Sequence, residues 1–218
     1  MLRRKWFKLL VFLCCLAPAA HLGWRFWRMD LTPNPLEFLE HFTGDWTIRF
    51  LVITLAVTPV RRLLHVPDLI RFRRMFGLFA FFYGSLHFLT YLYFDQLFNV
   101  HAIVKDVAKR PFITVGFTGF VLMLPLALTS TTGWIRRLGG RRWQRLHRLV
   151  YVTGVAGVVH YYWLVKSDIR LPLLYGSLVT VLLVARIAWT LAAKTRATGG
   201  RQGAMAPASS SPSMAGKT

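Results

Sequence analysis

Two apolar stretches of the sequence each carry a histidine with a glycine three positions before it. Gly84-Ser-Leu-His87 lies in GLFAFFYGSLHFLTYLYF, and Gly157-Val-Val-His160 lies in RRWQRLHRLVYVTGVAGVVHYYW. Residues three apart share a helical face, so each glycine clears the surface beside its histidine. Imidazole nitrogen ligates iron, copper or zinc. An ionisable side chain inside a long apolar segment is costly enough to mark a site. The glycines leave room for a flat group against the helix; close packing of two helices through small residues would use them equally well.

The segments that hold these histidines are membrane-like. The chain has 218 residues, 55% hydrophobic, with 28 Lys and Arg against 8 Asp and Glu, a net charge of +20. In a soluble protein that balance would point to nucleic acid. Here the basic residues flank long apolar runs, so lipid is the expected environment and nucleic acid is disfavoured. The runs are 9–24, 46–60, 75–94, 112–132, 149–165 and 171–185, the last continuing to about residue 193. With their flanks most reach the roughly 17–25 residues of a spanning helix. The expected fold is an all-α integral membrane protein, a bundle of six transmembrane helices over residues 1–194. A Gly/Ala/Ser/Pro-rich stretch, 195–218, is expected to be a disordered cytoplasmic tail. RRK followed by LLVFLCCL and APAA looks like a signal peptide, but the apolar run goes on to Trp24 and ends at Arg25 and Arg28, so an uncleaved first helix is expected. Adjacent Cys14 and Cys15 imply no disulfide framework.

Charge sets the orientation. With a cytoplasmic N-terminus, the outer segments hold Arg25, Arg28, Arg49, Lys105, Lys109, Arg110, Lys166 and Arg170, and the other 20 of the 28 basic residues lie inside. Of the acids only Asp68 is then inside. The positive-inside rule favours N-in, C-in.

Depth along the helices relates the histidines. His87 is about 18 Å above Met75 and His160 about 21 Å above Leu146, at about 1.5 Å per residue. Both fall in the outer half of the bilayer. The acids are expected in loops and the thiols in helix 1, so a bare-ion site lacks its usual carboxylates or thiolates. Two neutral imidazoles on facing helices suit a six-coordinate b-type haem, and a closed coordination shell favours electron transfer over oxygen binding. Phe81, Phe82, Tyr83, Phe88, Tyr91, Tyr161, Tyr162 and Trp163 are the aromatics available to pack on such a ring.

The other histidines divide. His21, His41 and His65 read as interfacial or solvated. His147 is thirteen residues from His160, roughly 20 Å along the axis and roughly 140° around it. It belongs to a separate inner level, as ligand of a second haem or as an interfacial histidine. His101 lies fourteen residues beyond His87. It would stand about 39 Å up helix 3, outside a core of about 30 Å, and is a weak outer candidate. By depth His87 pairs with His160; a staggered arrangement pairs His87 with His147 and His101 with His160.

Four core helices with histidines on the third and fifth resemble the ferric-reductase-like transmembrane domain, and the spacings are similar to those of the NADPH oxidases. Finer motifs are similar to the MsrQ (YedZ) family, the haem-binding membrane subunit of the periplasmic protein-methionine-sulfoxide reductase system. They are HFTG (41–44), LAVTPVRR (55–62), IRFRRMFGL (70–78), YGSLH (83–87), KRPFITVGF (109–117), ALTSTTGWIRRLGGRRWQRLHRLVY (127–151) and HYYWLVKSD (160–168). The resemblance implies a protein of the bacterial inner membrane that passes electrons to a periplasmic molybdenum-containing methionine-sulfoxide reductase. It implies haem ligation by the residues matching His87, His147 and His160, with one or two b-type haems. It also implies FMN, and electrons from the quinone pool or a cytoplasmic flavin reductase. Arg71, Arg73, Arg74, Arg141 and Arg142 could hold a flavin phosphate, although inner loops are basic for topological reasons alone.

No GxGxxG follows a strand pattern and no nicotinamide module is expected, so electrons would come from a partner or a quinol. The chain reads as an electron-transfer subunit of an oxidoreductase rather than a catalytic one. The rival readings are a self-contained transmembrane ferric or cupric reductase, and a haem-free transporter or scaffold. The last predicts charged groups at the depth of His87 and His160.

Overall fold

The computed structural model describes residues 5–30, 32–165 and 167–204, and among them it is helical without strands. In order the helices are α1 (Lys5–Trp27), α2 (Pro35–Leu63), α3 (Ile70–Thr90), α4 (Val100–Lys109), α5 (Pro111–Leu128), α6 (Thr132–Leu146), α7 (Leu149–Leu164) and α8 (Arg170–Ala204). The six apolar runs correspond to α1, α2, α3, α5, α7 and α8. The two segments expected as loops fold as α4 and α6. Four stretches are long and apolar enough to cross a membrane: Lys5–Trp27, Pro67–Asp95, Pro111–Leu128 and Arg170–Ala193. The Leu149–Leu164 helix is apolar but shorter. In α2 the first half carries Glu37, Glu40, Asp45 and Arg49, which interrupts its apolar character.

The chain forms two units, Met1–Leu182 and Leu183–Thr218. In the second, the described residues are the helical end of α8, which reaches Ala204, beyond the expected end of the last helix near residue 194. The remainder of the expected tail, residues 205–218, lies outside the described residues. So do Arg3, Arg4, Lys166 and Lys217, which enter the charge count.

Local chemistry sets the helix ends. Pro35 occupies the first turn of α2, where no amide donor is needed, and the Asn34 side chain accepts from the Glu37 amide. Tyr91–Asp95 is a π turn that ends the long third helix. Leu97 (φ 46°) and Phe98 (φ 58°) then reverse the chain, a left-handed conformation that costs non-glycine residues energy. Asn99 caps α4 through the Ala102 amide at 3.1 Å. Helix 3 therefore never reaches His101.

The core is the quartet α2, α3, α5 and α7, with α2 packed along α3, α5 along α7, and α3–α5 and α2–α7 contacts closing the ring. Its two main seams use different chemistry. Between α2 and α3 lies an aromatic ladder: Phe50 stacks on Tyr83 at 5.3 Å and 12°, and on Phe79 at 5.6 Å and 27°. Such pairs add about 0.5–1.5 kcal/mol each beyond burial. Between α5 and α7 small residues meet: a side chain at Gly119 would touch the Ala156 methyl at 3.4 Å. In lipid, where apolar burial no longer drives helices together, close backbone approach of this kind does.

α1 joins this core through the ring contacts Phe7–Phe72 (5.9 Å) and Phe12–Phe79 (5.1 Å) and through one hydroxyl. Tyr83, fully buried, donates to the Cys15 carbonyl (2.9 Å) and accepts from the Ala19 amide (3.0 Å). Those two groups are partners an α-helix would join directly. The neighbouring Pro18 already lacks a donor and loosens this turn. The hydroxyl thus sits where the α1 ladder is weakest. Tyr83→Phe removes a hydrogen-bond partner from two buried groups and is expected to cost about 1–3 kcal/mol, read as earlier thermal unfolding in detergent. Tyr93→Phe, at an exposed site, is the control and should change stability by less than about 0.5 kcal/mol.

Candidate cofactor site

His87 on α3 and His160 on α7 face each other across the quartet, with ring centroids 6.1 Å apart and planes at 74°. Each ring is held by its inner nitrogen. His87 Nδ1 lies 3.1 Å from the Glu40 carbonyl oxygen and 3.4 Å from Thr43 Oγ1. Thr43 gives its own proton to the Leu39 carbonyl at 2.7 Å, so it too can only accept from His87. His160 Nδ1 lies 2.7 Å from the Phe112 carbonyl oxygen. A carbonyl oxygen has no proton to donate, so in both rings Nδ1 carries the hydrogen and Nε2 keeps its lone pair. This is the arrangement of a metal-ligating histidine, whose second nitrogen donates to a fixed acceptor.

The spacing fits one metal between the two rings. Imidazole nitrogen binds a metal at about 2.0–2.1 Å, which puts the centres of two imidazoles on opposite sides of one metal roughly 6 Å apart. Among the described residues no group of three or more His, Cys, Asp and Glu could hold a metal ion. Two imidazoles alone underfill a bare ion's coordination shell and suit a macrocycle that supplies the equatorial donors. Around them lies a cavity of about 310 Å³, lined by apolar faces of α2, α3, α5 and α7 including Ile48, Phe88, Phe120 and Met123. That is at the lower end of the roughly 300–1,000 Å³ of cofactor sites.

The glycines that seat the rings are not the ones the spacing pointed to. A side chain at Gly116 on α5 would come within 2.5 Å of His160 Nδ1, and one at Gly44 on α2 within 3.3 Å of His87 Cε1. Gly84 and Gly157 line the same cavity, but their open faces meet other groups. Over Gly84 lie Met123 (2.9 Å) and Thr47 (3.4 Å); over Gly157 lie Ile48 (3.2 Å) and Leu51 (3.7 Å). Both serve helix approach at the cavity wall. Gly116 and Gly119 are mid-helix glycines in an apolar run, and Gly44 ends the HFTG motif. A glycine there weakens a helix by about 1 kcal/mol, which was the available signal.

Three other expectations need correction. Acids are not confined to loops: Glu40, Asp45 and Asp95 line the cavity with Arg110 and His41. Of the eight aromatics expected near a ring, Phe88, Tyr91 and Tyr161 line it, joined by Phe112, Phe117 and Phe120 of α5. Tyr83 is turned to α1, while Tyr162 and Trp163 are exposed. His101 is exposed on the first turn of α4 and does not line the cavity.

His147 occupies a level of its own, at the junction of α6 and α7. Its ring stacks on Trp143 at 3.8 Å, its Nδ1 lies 3.1 Å from the Trp143 carbonyl oxygen, and Nε2 is 3.5 Å from Ser130 Oγ. Burial, helped by the nearby Arg73 charge, lowers its pKa and favours the neutral ring. The staggered pairings His87–His147 and His101–His160 are not the ones the helices bring together. Of the inner arginines, Arg71 is paired with Asp68 at 3.5 Å, while Arg141 and Arg142 are exposed on α6.

Gly116→Ala places a methyl against the His160 ring. Overpacking of this kind costs about 1–3 kcal/mol, expected as a lower unfolding temperature of the purified protein. Gly23→Ala, where a methyl would meet nothing within 4 Å, should be neutral or slightly stabilising.

Comparison with known proteins agrees with this arrangement. Residues 43–158 match the family model for the ferric reductase like transmembrane component. The chain is 53% identical over 184 residues to the protein-methionine-sulfoxide reductase heme-binding subunit MsrQ of Herminiimonas arsenicoxydans, covering 84% of each chain. It is 55% identical over 175 residues to the protein of the same name from Ralstonia nicotianae (79% of this chain, 78% of that one). It is 49% identical over 178 residues to that of Caulobacter vibrioides (82% and 85%). Identity at this level over four-fifths of the chain, with a family match over residues 43–158 that includes His87, places the protein in the MsrQ family of ferric-reductase-like membrane proteins.

Proposed function

We propose that this protein is the b-type haem subunit of a methionine-sulfoxide reductase system and carries electrons across the bacterial inner membrane. The observation that carries the reading is the pair of facing imidazoles, ring centroids 6.1 Å apart, whose Nδ1 atoms are committed to backbone carbonyls and whose Nε2 atoms are left free to ligate. His87 and His160 would hold the haem at the outer level. Gly44 and Gly116 give the rings their seats, and the Glu40 and Phe112 carbonyls hold their orientation. Haem held between two histidines would supply one-electron chemistry. The side chains of the cavity exclude water from it and hold the ligand rings still, so little reorganisation accompanies electron transfer. His147, on the inner side, ligates at a second level.

The chain crosses the membrane six times, as α1, α2, α3, α5, α7 and α8, with both termini in the cytoplasm. α4 then lies at the outer face and α6 at the inner one. Electrons enter on the cytoplasmic side, from the quinone pool or a flavin reductase. FMN belongs on this side, its phosphate among the arginines of α3 and α6. They leave at the outer level for a periplasmic molybdenum-containing methionine-sulfoxide reductase. The chain is an electron-transfer subunit; reduction of the substrate belongs to the partner.

One observation favours a second reading. A haem-free carrier of protons or ions needs charged groups level with the histidines, and Asp45 and Arg49 are there, paired at 3.1 Å. The visible spectrum separates the two. Purified after expression with ample haem, the protein should show a dithionite-sensitive haem band. His87→Ala and His160→Ala should each abolish the outer-level signal, whereas His101→Ala should leave the spectrum intact. If His147 ligates a second haem, His147→Ala removes part of the signal. A colourless wild-type protein would refute the haem reading. Reporter fusions after Leu64 and Leu146 should be active as cytoplasmic enzymes, and fusions after Phe98 as periplasmic ones.

A further inference from the structure

Several charged residues line the cavity, and one of them, Asp45 on α2, belongs to an ion pair at the level of the two rings. Asp45 follows Gly44, the residue against which His87 packs. Its Oδ2 accepts from Arg49 Nη2 at 3.1 Å, one helical turn away. The pair is half-buried, with the Arg49 side chain 37% and the Asp45 side chain 22% exposed. Asp45 lines the cavity, and so does Tyr161, the residue after His160. Arg49 donates through Nε to the Tyr175 hydroxyl of α8 at 3.1 Å and lies 4.9 Å over the Trp46 ring. Two aromatic side chains, Tyr175 and Trp46, thus hold the cation of the pair in place.

The pair is also oriented. Asp45 belongs to the cavity wall and Arg49 does not. A bis-imidazole ferric porphyrin has a core charge of plus one, which reduction cancels. A carboxylate on the wall favours the oxidised form, and a cation behind it weakens that preference. In a low-dielectric site these charges act over longer distances than in water, and they are among the levers by which a protein tunes a redox centre.

We infer that Asp45 and Arg49 form an oriented charge pair whose carboxylate end, facing the cavity, lowers the reduction potential of the haem held by His87 and His160 and so makes it a stronger electron donor. This rests on the haem reading above. Both residues are positioning residues that act through the field; neither is a ligand.

The test is a potentiometric titration of the full-length, haem-loaded protein in detergent or lipid nanodiscs, followed by the reduced haem band. Asp45→Asn removes the negative end and should raise the midpoint. Arg49→Gln leaves the carboxylate uncompensated and should lower it. The double variant should return towards the wild-type value, and Arg49→Lys, which keeps the charge, should stay close to it. Unchanged midpoints in variants with full haem content overturn the inference, as do shifts of the same sign in both single variants, which would report loosened packing. Loss of haem from Asp45→Asn overturns it in favour of a folding role. A colourless wild-type protein overturns the haem reading and this inference together, whereas a normal spectrum with unmoved midpoints overturns this inference alone.

Discussion

The site depends on two hydrogen bonds from imidazole to backbone. Glu40 and Phe112 sit one turn N-terminal to Gly44 and Gly116 on α2 and α5, and their carbonyl oxygens take the Nδ1 protons of His87 and His160. A side-chain acceptor could rotate or titrate away. A helical carbonyl can do neither, so the tautomer and the ring orientation are tied to the backbone itself. Each bond also joins helices: α3 to α2, and α7 to α5. The contacts that aim the ligands are thus the same contacts that close the quartet.

The glycines follow from that constraint. To reach a carbonyl on the neighbouring helix, the imidazole must lie flat against that helix, in the space a side chain one turn on would fill. Gly116 and Gly44 leave it empty. The other glycines let α5 and α7, and α7 and α2, come close enough for the rings to face each other, while aromatic stacking along α2 and α3 holds the opposite side. Tyr83, four residues before His87, turns its hydroxyl away from the cavity to stitch α1 onto this frame.

Charge acts at two scales. Most of the +20 lies in short blocks between the apolar runs, which suits an orienting role in a membrane. The few acids gather differently, with Glu40, Asp45 and Asp95 on the cavity wall. An ion pair partly removed from water costs desolvation, and the Arg49 paired with Asp45 is held by Tyr175 and Trp46. Its cost makes sense if the pair acts on the centre beside it.

Much was legible in the chain alone. Apolar runs of the right length located the helices of the core, and the basic blocks between them pointed to lipid. Equal rise per residue on two helices put His87 and His160 at one depth, so their pairing could be read by arithmetic. Motif likeness led to the family. What the sequence could not supply were relations across helices. Which glycine faces which ring depends on how α2 is rotated against α3, and α5 against α7, and a glycine three residues from its histidine on the same helix says nothing about that. Asp45 looked like a loop residue because Pro35 and Asn34, which start α2 well before its apolar run, were outweighed by its early charges. His101 lost its place because two left-handed residues, Leu97 and Phe98, end helix 3 where periodicity allowed it to continue. Composition and spacing are properties of one helix and determined its length, depth and polarity. Hydrogen-bond partners, ring seats and ion-pair orientation are properties of two helices in contact, and only their packing decided them.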